Sequence, residues 1–476
     1  MNQKETPLFD ALIEYGKKQI YSFHVPGHKD GFTFPERGEA LFHEILKIDA
    51  TEVLGLDDLY DPTDVILSAQ ELLIDLYKTK KSYFLVNGTT VGNLVMVLSA
   101  CRPHDKVLVQ RNSHKSIFNA LKMARVNPVF IAPESGRSGI PVGISRETVR
   151  DALEQHPDAK ALILTYPNYY GMAKKDYEEI IRYAKEKGLL VLVDEAHGAH
   201  FIMGSPVPKS TLSMGADIVV QSAHKTLPAM TMGSYLHILS QRIDFEKVEE
   251  YLERLQTSSP SYPIMASLDL ARAHLASIDR EKLQSILKDI DAFKLGIMEK
   301  GFDCVEEDLA DQDPFKVILR ADGQGFHLQE ALFSAGLYPE MADRDHVLLT
   351  LPIGGRFPVK EILPVFEKVF GHFIPNRLVE GVPYDLQSQP MTTPVISYEA
   401  SERLEKELIP LQQAEGRIAA KMVIPYPPGV PLLLDGERIT DDHLDHMKAL
   451  LDAGARFHGL NGDHSLWVYK MNKTVM

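Results

Sequence analysis

A lysine and an acid, each following an apolar β-type run, are the residues of this sequence best placed to do chemistry. Leu189-Leu190-Val191-Leu192-Val193 leads straight into Asp194-Glu195-Ala196-His197-Gly198. A second such run ends in Gln221-Ser222-Ala223-His224-Lys225-Thr226. A lysine amine can form a Schiff base with an aldehyde. An acid opposite a pyridine nitrogen keeps that nitrogen protonated and makes the ring an electron sink. Pyridoxal 5'-phosphate (PLP) is the aldehyde cofactor usually held by such a pair. A single lysine is ordinarily a solvated surface residue, so the reading depends on finding the other contacts in order.

Candidates for those contacts follow in order. Asn87-Gly88-Thr89-Thr90 links a strand pattern to a helix pattern. Backbone N–H groups at a helix start, with threonine hydroxyls beside them, suit a phosphate. Ser222 and His224 flank the lysine and could add phosphate contacts. His114 opens a helix, where an imidazole could lie on a cofactor ring, although a histidine there is also an ordinary cap-region residue. Asp194 could equally cap a helix after its strand. The joint order of phosphate turn, stacking residue, ring-nitrogen acid and lysine is what raises these residues above their ordinary roles. His24/His28 and His197/His200 imitate metal-ligand spacings. Pro26 and Gly27 rule out a helical pair for the first, neither has a clear third ligand, and no metal is expected.

The elements that must position these residues alternate regularly. Helical patterns run over Phe9 to Lys18 and Val65 to Tyr77, with irregular chain between them. Strand patterns follow at Tyr83–Val86, Lys106–Val109, Pro128–Ile131, Ala161–Thr165, Leu189–Val193 and Ile218–Gln221. Helices lie between them, one read over Lys174 to Lys187. Near-continuous apolar strands separated by helices predict an α/β fold with a mostly parallel sheet covered on both faces. Ligands of such sheets gather at the carboxyl ends of the strands, where Asn87, Thr165, Asp194 and Ser222 fall. Residues 242 to 300 read as largely helical. A sparser βα alternation resumes with strands at Pro314–Leu319 and His346–Leu351 around a helix near His327 to Ala335. A Pro-rich stretch from Ile374-Pro375 to Thr393-Pro394 marks a boundary. A helix over Ser397 to Leu408, stopped by Pro410, opens the tail. The expected domains are 1–65, 66–300 (cofactor-binding), 301–375 and 376–476.

Composition narrows the class. The 476 residues exceed one compact core, and 44% apolar with 25% charged residues is ordinary for a soluble globular protein. The net charge of −15 argues against a general nucleic-acid surface and mildly favours cationic ligands. Cys101 and Cys304 are far apart and suit a reducing compartment. The first twenty residues lack the apolar core of a signal peptide, and no run approaches a membrane span. A cytoplasmic protein is expected.

Several motifs together resemble the prokaryotic ornithine/lysine/arginine decarboxylases, in the shorter form without a receiver-like N-terminal domain. They are His24-Val25-Pro26-Gly27-His28-Lys29, Asn87-Gly88-Thr89-Thr90-Val91-Gly92-Asn93, Asn112-Ser113-His114-Lys115-Ser116 and Asp194-Glu195-Ala196-His197-Gly198. Ser222-Ala223-His224-Lys225-Thr226-Leu227-Pro228-Ala229, Thr257-Ser258-Ser259-Pro260-Ser261-Tyr262-Pro263 and Pro425-Tyr426-Pro427-Pro428-Gly429 complete the set. The resemblance runs through nearly the whole chain. It implies a fold-type I PLP-dependent large domain with smaller α+β C-terminal domains. Lys225 would hold PLP, Asp194 would pair with the pyridine nitrogen and His114 would stack on the ring. Thr89, Thr90, Ser222 and His224 would bind the phosphate, and His197 would lie near the cofactor at a position where some long-form members carry an aromatic. Thr257 to Ser261 would reach a neighbouring subunit's cofactor, which implies a homodimer or higher homo-oligomer.

The implied reaction is decarboxylation of a basic amino acid, arginine first, then lysine or ornithine. An aminotransferase or aldolase of the same fold, or a PLP-binding protein without catalysis, are the alternatives. Lys225, Asp194 and His224 are the expected catalytic residues. The substrate's distal cation needs carboxylate acceptors, and Asp57, Asp58 and Glu437 are the candidates.

Overall fold

The computed structural model describes residues 1–308, 310–372, 390–426 and 429–470. Most of the Pro-rich boundary stretch, and Pro427-Pro428 of the last motif, lie outside them. The chain divides into two compact units, one built from Met1–Ala100, Leu190–Ser205 and Lys209–Leu283, the other from most of the remainder.

In the first unit, four strands lie in the order Lys81–Leu85, Ser234–Ile238, Ile218–Gln221, Leu190–Asp194. Their side chains are buried almost throughout, which is why Leu190–Asp194 and Ile218–Gln221 read as near-continuous apolar runs. Leu190–Asp194 and Ile218–Gln221 are parallel, with Asp194 opposite Val220. Ser234–Ile238 runs antiparallel to both Ile218–Gln221 and Lys81–Leu85. The carboxyl ends of three strands and the amino end of the fourth therefore share one edge. That edge presents Gly88-Thr89, Asp194, Ser222 and Ser234 together.

The helix Gly88–Ala100 covers this sheet. A β-carbon at Gly92 would stand 2.5 Å from Val220 Cγ1 and 2.7 Å from Leu85 Cδ1, so glycine there lets the helix lie close. Gly88, at φ +76°, makes the sharp turn from strand to helix. The amino-terminal helix Pro7–Gly16 is tied in by Asp269, whose carboxylate accepts from the backbone N–H groups of Leu8 (3.1 Å) and Phe9 (3.4 Å). Arg272 pairs with Asp269 at 2.6 Å with both side chains fully buried.

In the second unit, Lys106–Gln110 lies between two parallel neighbours, Asn127–Ile131 and Ala161–Thr165. Met391–Thr392 adds an antiparallel edge. The α/β architecture expected from the sequence is thus present, with parallel strands at its centre and antiparallel ones beside them. Lys316–Arg320, His346–Thr350 and Met341–Ala342 form a small antiparallel sheet with the helix Gly325–Ser334.

Three readings need correction. Glu36–Leu46 is a helix inside the stretch read as irregular; Leu41, Phe42, Ile45 and Leu46 do stand at helical spacing there, a signal the reading passed over. The helix read over Lys174 to Lys187 begins at Tyr177, because Met172–Lys174 pairs with Ala310–Gln312 as a strand. The helix read over Ser397 to Leu408 is confined to Tyr398–Ser401. Ser397 does cap it, accepting from the Ala400 N–H at 3.3 Å. The following Lys406–Pro410 is a strand paired with Ser465–Tyr469, a long-range partner that local periodicity cannot reveal. Pro410, lacking an N–H, sits at the strand's end, where it costs the ladder least.

Candidate active site

The shared sheet edge of the first unit brings together several of the residues expected from the sequence. Asp194 is the last residue of its strand and is 2% exposed. Its Oδ2 accepts from Asn93 Nδ2 at 2.8 Å and its Oδ1 from the Ala196 N–H at 3.2 Å. Burial raises its carboxyl above the ordinary range, while the charge of Lys225 and the hydrogen bonds from Asn93 and Ala196 pull it down. Lys225 lies in the short helix Ala223–Thr226 that follows the parallel strand. Its Nζ is 3.1 Å from His197 Nε2. An ammonium can only donate, so His197 presents a neutral Nε2 acceptor to it.

A cluster of hydroxyls occupies the neighbouring positions. Thr89 Oγ1 bonds Ser222 Oγ and lies 3.1 Å from Ser234 Oγ, all buried at the start of the helix Gly88–Ala100. His224 Nδ1 is 3.0 Å from the Gly233 carbonyl. A carbonyl only accepts, so Nδ1 carries the proton and Nε2 is left as an acceptor. Thr90 is exposed in the first turn of the helix.

His114 and Glu437 belong to the second unit. His114 caps the helix Lys115–Met123, its Nδ1 taking hydrogen bonds from the Ser116 N–H (3.3 Å) and hydroxyl (2.7 Å). Glu437 is buried against Arg111, with Oε2 2.9 Å from Nη2 and 2.8 Å from the Leu434 N–H. Arg111 also donates to the carbonyls of Pro431 (2.9 Å) and Leu432 (3.0 Å). Removing one member of such a pair leaves a buried charge uncompensated. Glu437→Ala is therefore expected to lower the unfolding free energy by about 3–5 kcal/mol, read from urea denaturation. A loss below about 1 kcal/mol would show that Arg111 does not depend on it.

Asp57 is likewise committed. Its carboxylate accepts from the N–H groups of Asp58, Thr63, Asp64, Ile66 and Leu67, at the start of the helix Val65–Tyr77. Its pKa lies below the ordinary value because these backbone bonds outweigh a desolvation that acts the other way. Asp58 accepts from the Tyr60 N–H at 2.8 Å. The Tyr60 hydroxyl bonds the Thr257 carbonyl, and the Thr257 N–H donates to Asn87 Oδ1 at 3.1 Å. The acidic loop, the Thr257 segment and the Asn87 turn are thereby joined in one unit.

Sequence reasoning missed Asn93 and Ser234. Asn93 was findable, since it stands one helical turn after Thr89 and so shares its face. Ser234 has no such signal; only the antiparallel pairing opposite Leu85 brings it in. Among the described residues no group of three or more His, Cys, Asp or Glu is placed to hold a metal, and no helix is long and apolar enough to cross a membrane. His28 Nε2 lies 3.1 Å from Asp49, and His24 Nε2 3.3 Å from the Tyr15 hydroxyl.

Comparison with known proteins converges on one family. Residues 6–330 match the major domain of the Orn/Lys/Arg decarboxylases, and residues 380–467 match their C-terminal domain. The chain is 45% identical to the uncharacterized protein YaaO of Bacillus subtilis, over 95% of this chain and 96% of that one. It is 33% identical to an arginine decarboxylase of Bacillus anthracis, over 96% of both chains. The fold is that of the E. coli constitutive lysine decarboxylase, with a TM-score of 0.81 at 23% identity over 98% of this chain and 82% of that one. A chain matched by both family domains, with this sheet edge, belongs to the Orn/Lys/Arg decarboxylases, PLP-dependent enzymes that decarboxylate amino acids.

Proposed function

We propose that this chain decarboxylates a basic amino acid, arginine before lysine or ornithine, with Lys225 as the residue that carries PLP. The observation that supports this most is the convergence of Lys225, His197, Asp194 and the Thr89–Ser222–Ser234 hydroxyls on one sheet edge. These residues fit the cofactor's chemistry. A cluster of hydroxyl donors at a helix amino terminus suits a phosphate, and a buried carboxylate held by Asn93 suits a protonated ring nitrogen. His114 and Thr90 are kept as cofactor contacts on the resemblance alone. When bound, PLP would supply the electron sink for the pair that departing CO2 leaves on the α-carbon.

The chain's own residues supply position and protons. The hydroxyls and the helix start would hold the cofactor's phosphate, and Asp194 would pair with its ring nitrogen. His197 Nε2 orients Lys225 Nζ and can exchange a proton with it across 3.1 Å. Lys225 Nζ, with His224 nearby, then stands ready to return a proton to the substrate carbon. Arginine is ranked first because full-length relatives at 32–33% identity bear that name, while those named lysine decarboxylase stand at 25%.

Of the three candidate acids for the distal cation, Asp58 is favoured, because Asp57 and Glu437 spend their acceptors on backbone and Arg111. Asp58→Asn should raise KM about tenfold or more with PLP still bound. A change within about twofold would move distal recognition elsewhere. The reaction itself is tested by incubating holoenzyme with arginine, lysine and ornithine. CO2 and amine in equal amounts from one of them are expected, arginine fastest. Keto acid without CO2 would indicate aminotransfer, and turnover of none would remove the basic-substrate reading.

The segment after the first helix exposes large apolar side chains: Tyr21 is 83%, Phe23 95%, Phe32 92%, Leu41 82% and Leu54 99% exposed. Large apolar side chains exposed along one segment favour a partner surface, and we assign it to a second copy of the chain in a homodimer or larger homo-oligomer. A monomer mass by sedimentation at micromolar concentration would contradict that. The sparse, widely spaced cysteines keep the cytoplasm as the expected compartment.

A further inference from the structure

Successive residues of a strand face opposite sides of a sheet. Asp194 and Ser222, which face the site, therefore have neighbours, Glu195 and Gln221, that face away from it. These two meet behind the site. The Glu195 N–H continues the parallel ladder, donating to the Val220 carbonyl at 2.8 Å. Glu195 Oε1 accepts from Gln221 Nε2 at 2.8 Å and from Ser210 Oγ at 2.7 Å. Glu195 Oε2 accepts from the Thr211 N–H at 2.7 Å and from the Thr211 hydroxyl. The side chain is wholly buried and all of these partners are donors.

The same carboxylate sets the direction of a longer chain of bonds. Because Gln221 gives its N–H to Glu195, its Oε1 faces His237 Nε2, 3.2 Å away, which must then carry the proton. His237 Nδ1 is left to accept from Ser82 Oγ at 2.8 Å, and that hydroxyl lies 2.7 Å from Thr79 Oγ1. Burial holds the His237 ring neutral, its pKa pushed down to about 3. One acceptor, Glu195, thus orders side chains across three neighbouring strands. An amide in its place would present an N–H2 to at least one of four donors and leave the direction of the chain undetermined.

We infer that Glu195 is a positioning residue for the decarboxylation: through Gln221 it fixes the strand end bearing Asp194 against the strand end bearing Ser222 and Lys225. It touches neither cofactor nor substrate. The inference rests on the assignment of Asp194 and Lys225 to the cofactor site, and it concerns residues on the other face of the sheet. Displacing reacting groups by an ångström costs rate far more than binding, so the effect belongs in kcat.

The test compares Glu195→Gln, Gln221→Met and Tyr235→Phe as PLP-loaded enzymes. Tyr235→Phe also removes one buried hydrogen bond from a residue of the same sheet, to the Leu268 carbonyl of the helix Tyr262–Ala276, and serves as the structural control. Expected for both Glu195→Gln and Gln221→Met are a kcat lowered about tenfold or more, a KM changed by less than about threefold, and an altered visible circular dichroism band of the bound cofactor. Tyr235→Phe should keep kcat and the band. The inference is overturned if both variants keep kcat within about twofold and an unchanged band, or if Tyr235→Phe matches their loss. Should Glu195→Gln fail to fold, Gln221→Met alone decides. Failure of the underlying site assignment appears separately, as wild-type enzyme whose cofactor is attached to a lysine other than Lys225.

Discussion

Lys225→Ala is expected to lower turnover by about four orders of magnitude or more and to remove the visible absorbance of lysine-bound cofactor. Two functions are lost together. The Schiff-base amine is gone, and so is the proton carrier that His197 holds 3.1 Å away. The fold should survive, because Lys225 is only half-buried and lies in a short helix at the sheet's edge. Phosphate binding should survive too, since the Thr89–Ser222–Ser234 cluster does not include the lysine. The variant should therefore still take up PLP, without its covalent signature. Multiple turnovers at the wild-type rate would remove Lys225 from the mechanism.

Asp194→Asn should lower kcat by about 10²–10³-fold, with a much smaller effect on cofactor retention. The asparagine is nearly isosteric and can keep the Ala196 N–H bond, so the geometry of the turn persists. It cannot carry the negative charge opposite a ring nitrogen. In the wild type, Asn93 and the ammonium of Lys225 oppose the upward pull of burial on this carboxyl. The Asn93 amide would face another amide in the variant, a mismatch that a flip of the Asn93 side chain relieves while the Ala196 bond is kept. Equal kcat in wild type and variant would assign the ring nitrogen another partner.

The cofactor edge was the most legible part of this chain. Buried strands such as Leu190–Asp194 and Ile218–Gln221 leave unbroken apolar runs, and the polar residues that end them stand out for that reason. Asn93 was accessible through helical spacing, but its partner Asp194 is a hundred residues away and had to be inferred independently. The acids chosen for the substrate were harder. Asp57 and Glu437 look like unassigned carboxylates in the sequence. Asp57 meets the amino end of the helix Val65–Tyr77, a few residues on along the same chain, whereas the commitment of Glu437 to Arg111 depends on chain folded back from elsewhere. The Lys406–Pro410 strand failed to show for the same reason, since its partner Ser465–Tyr469 is remote and its own residues fit a helix tolerably. Local pattern identifies elements and their exposed ends; it does not reveal which donors those ends meet.

The proposed roles of the site residues all depend on Lys225 as the cofactor lysine at this sheet edge. Borohydride reduction of the PLP-loaded wild-type enzyme, followed by digestion and mass spectrometry of the peptides, tests it directly. The pyridoxyl group is predicted on the peptide containing Ser222-Ala223-His224-Lys225, attached at Lys225. Its recovery on a peptide from any other lysine, with Lys225 unmodified, would contradict the account.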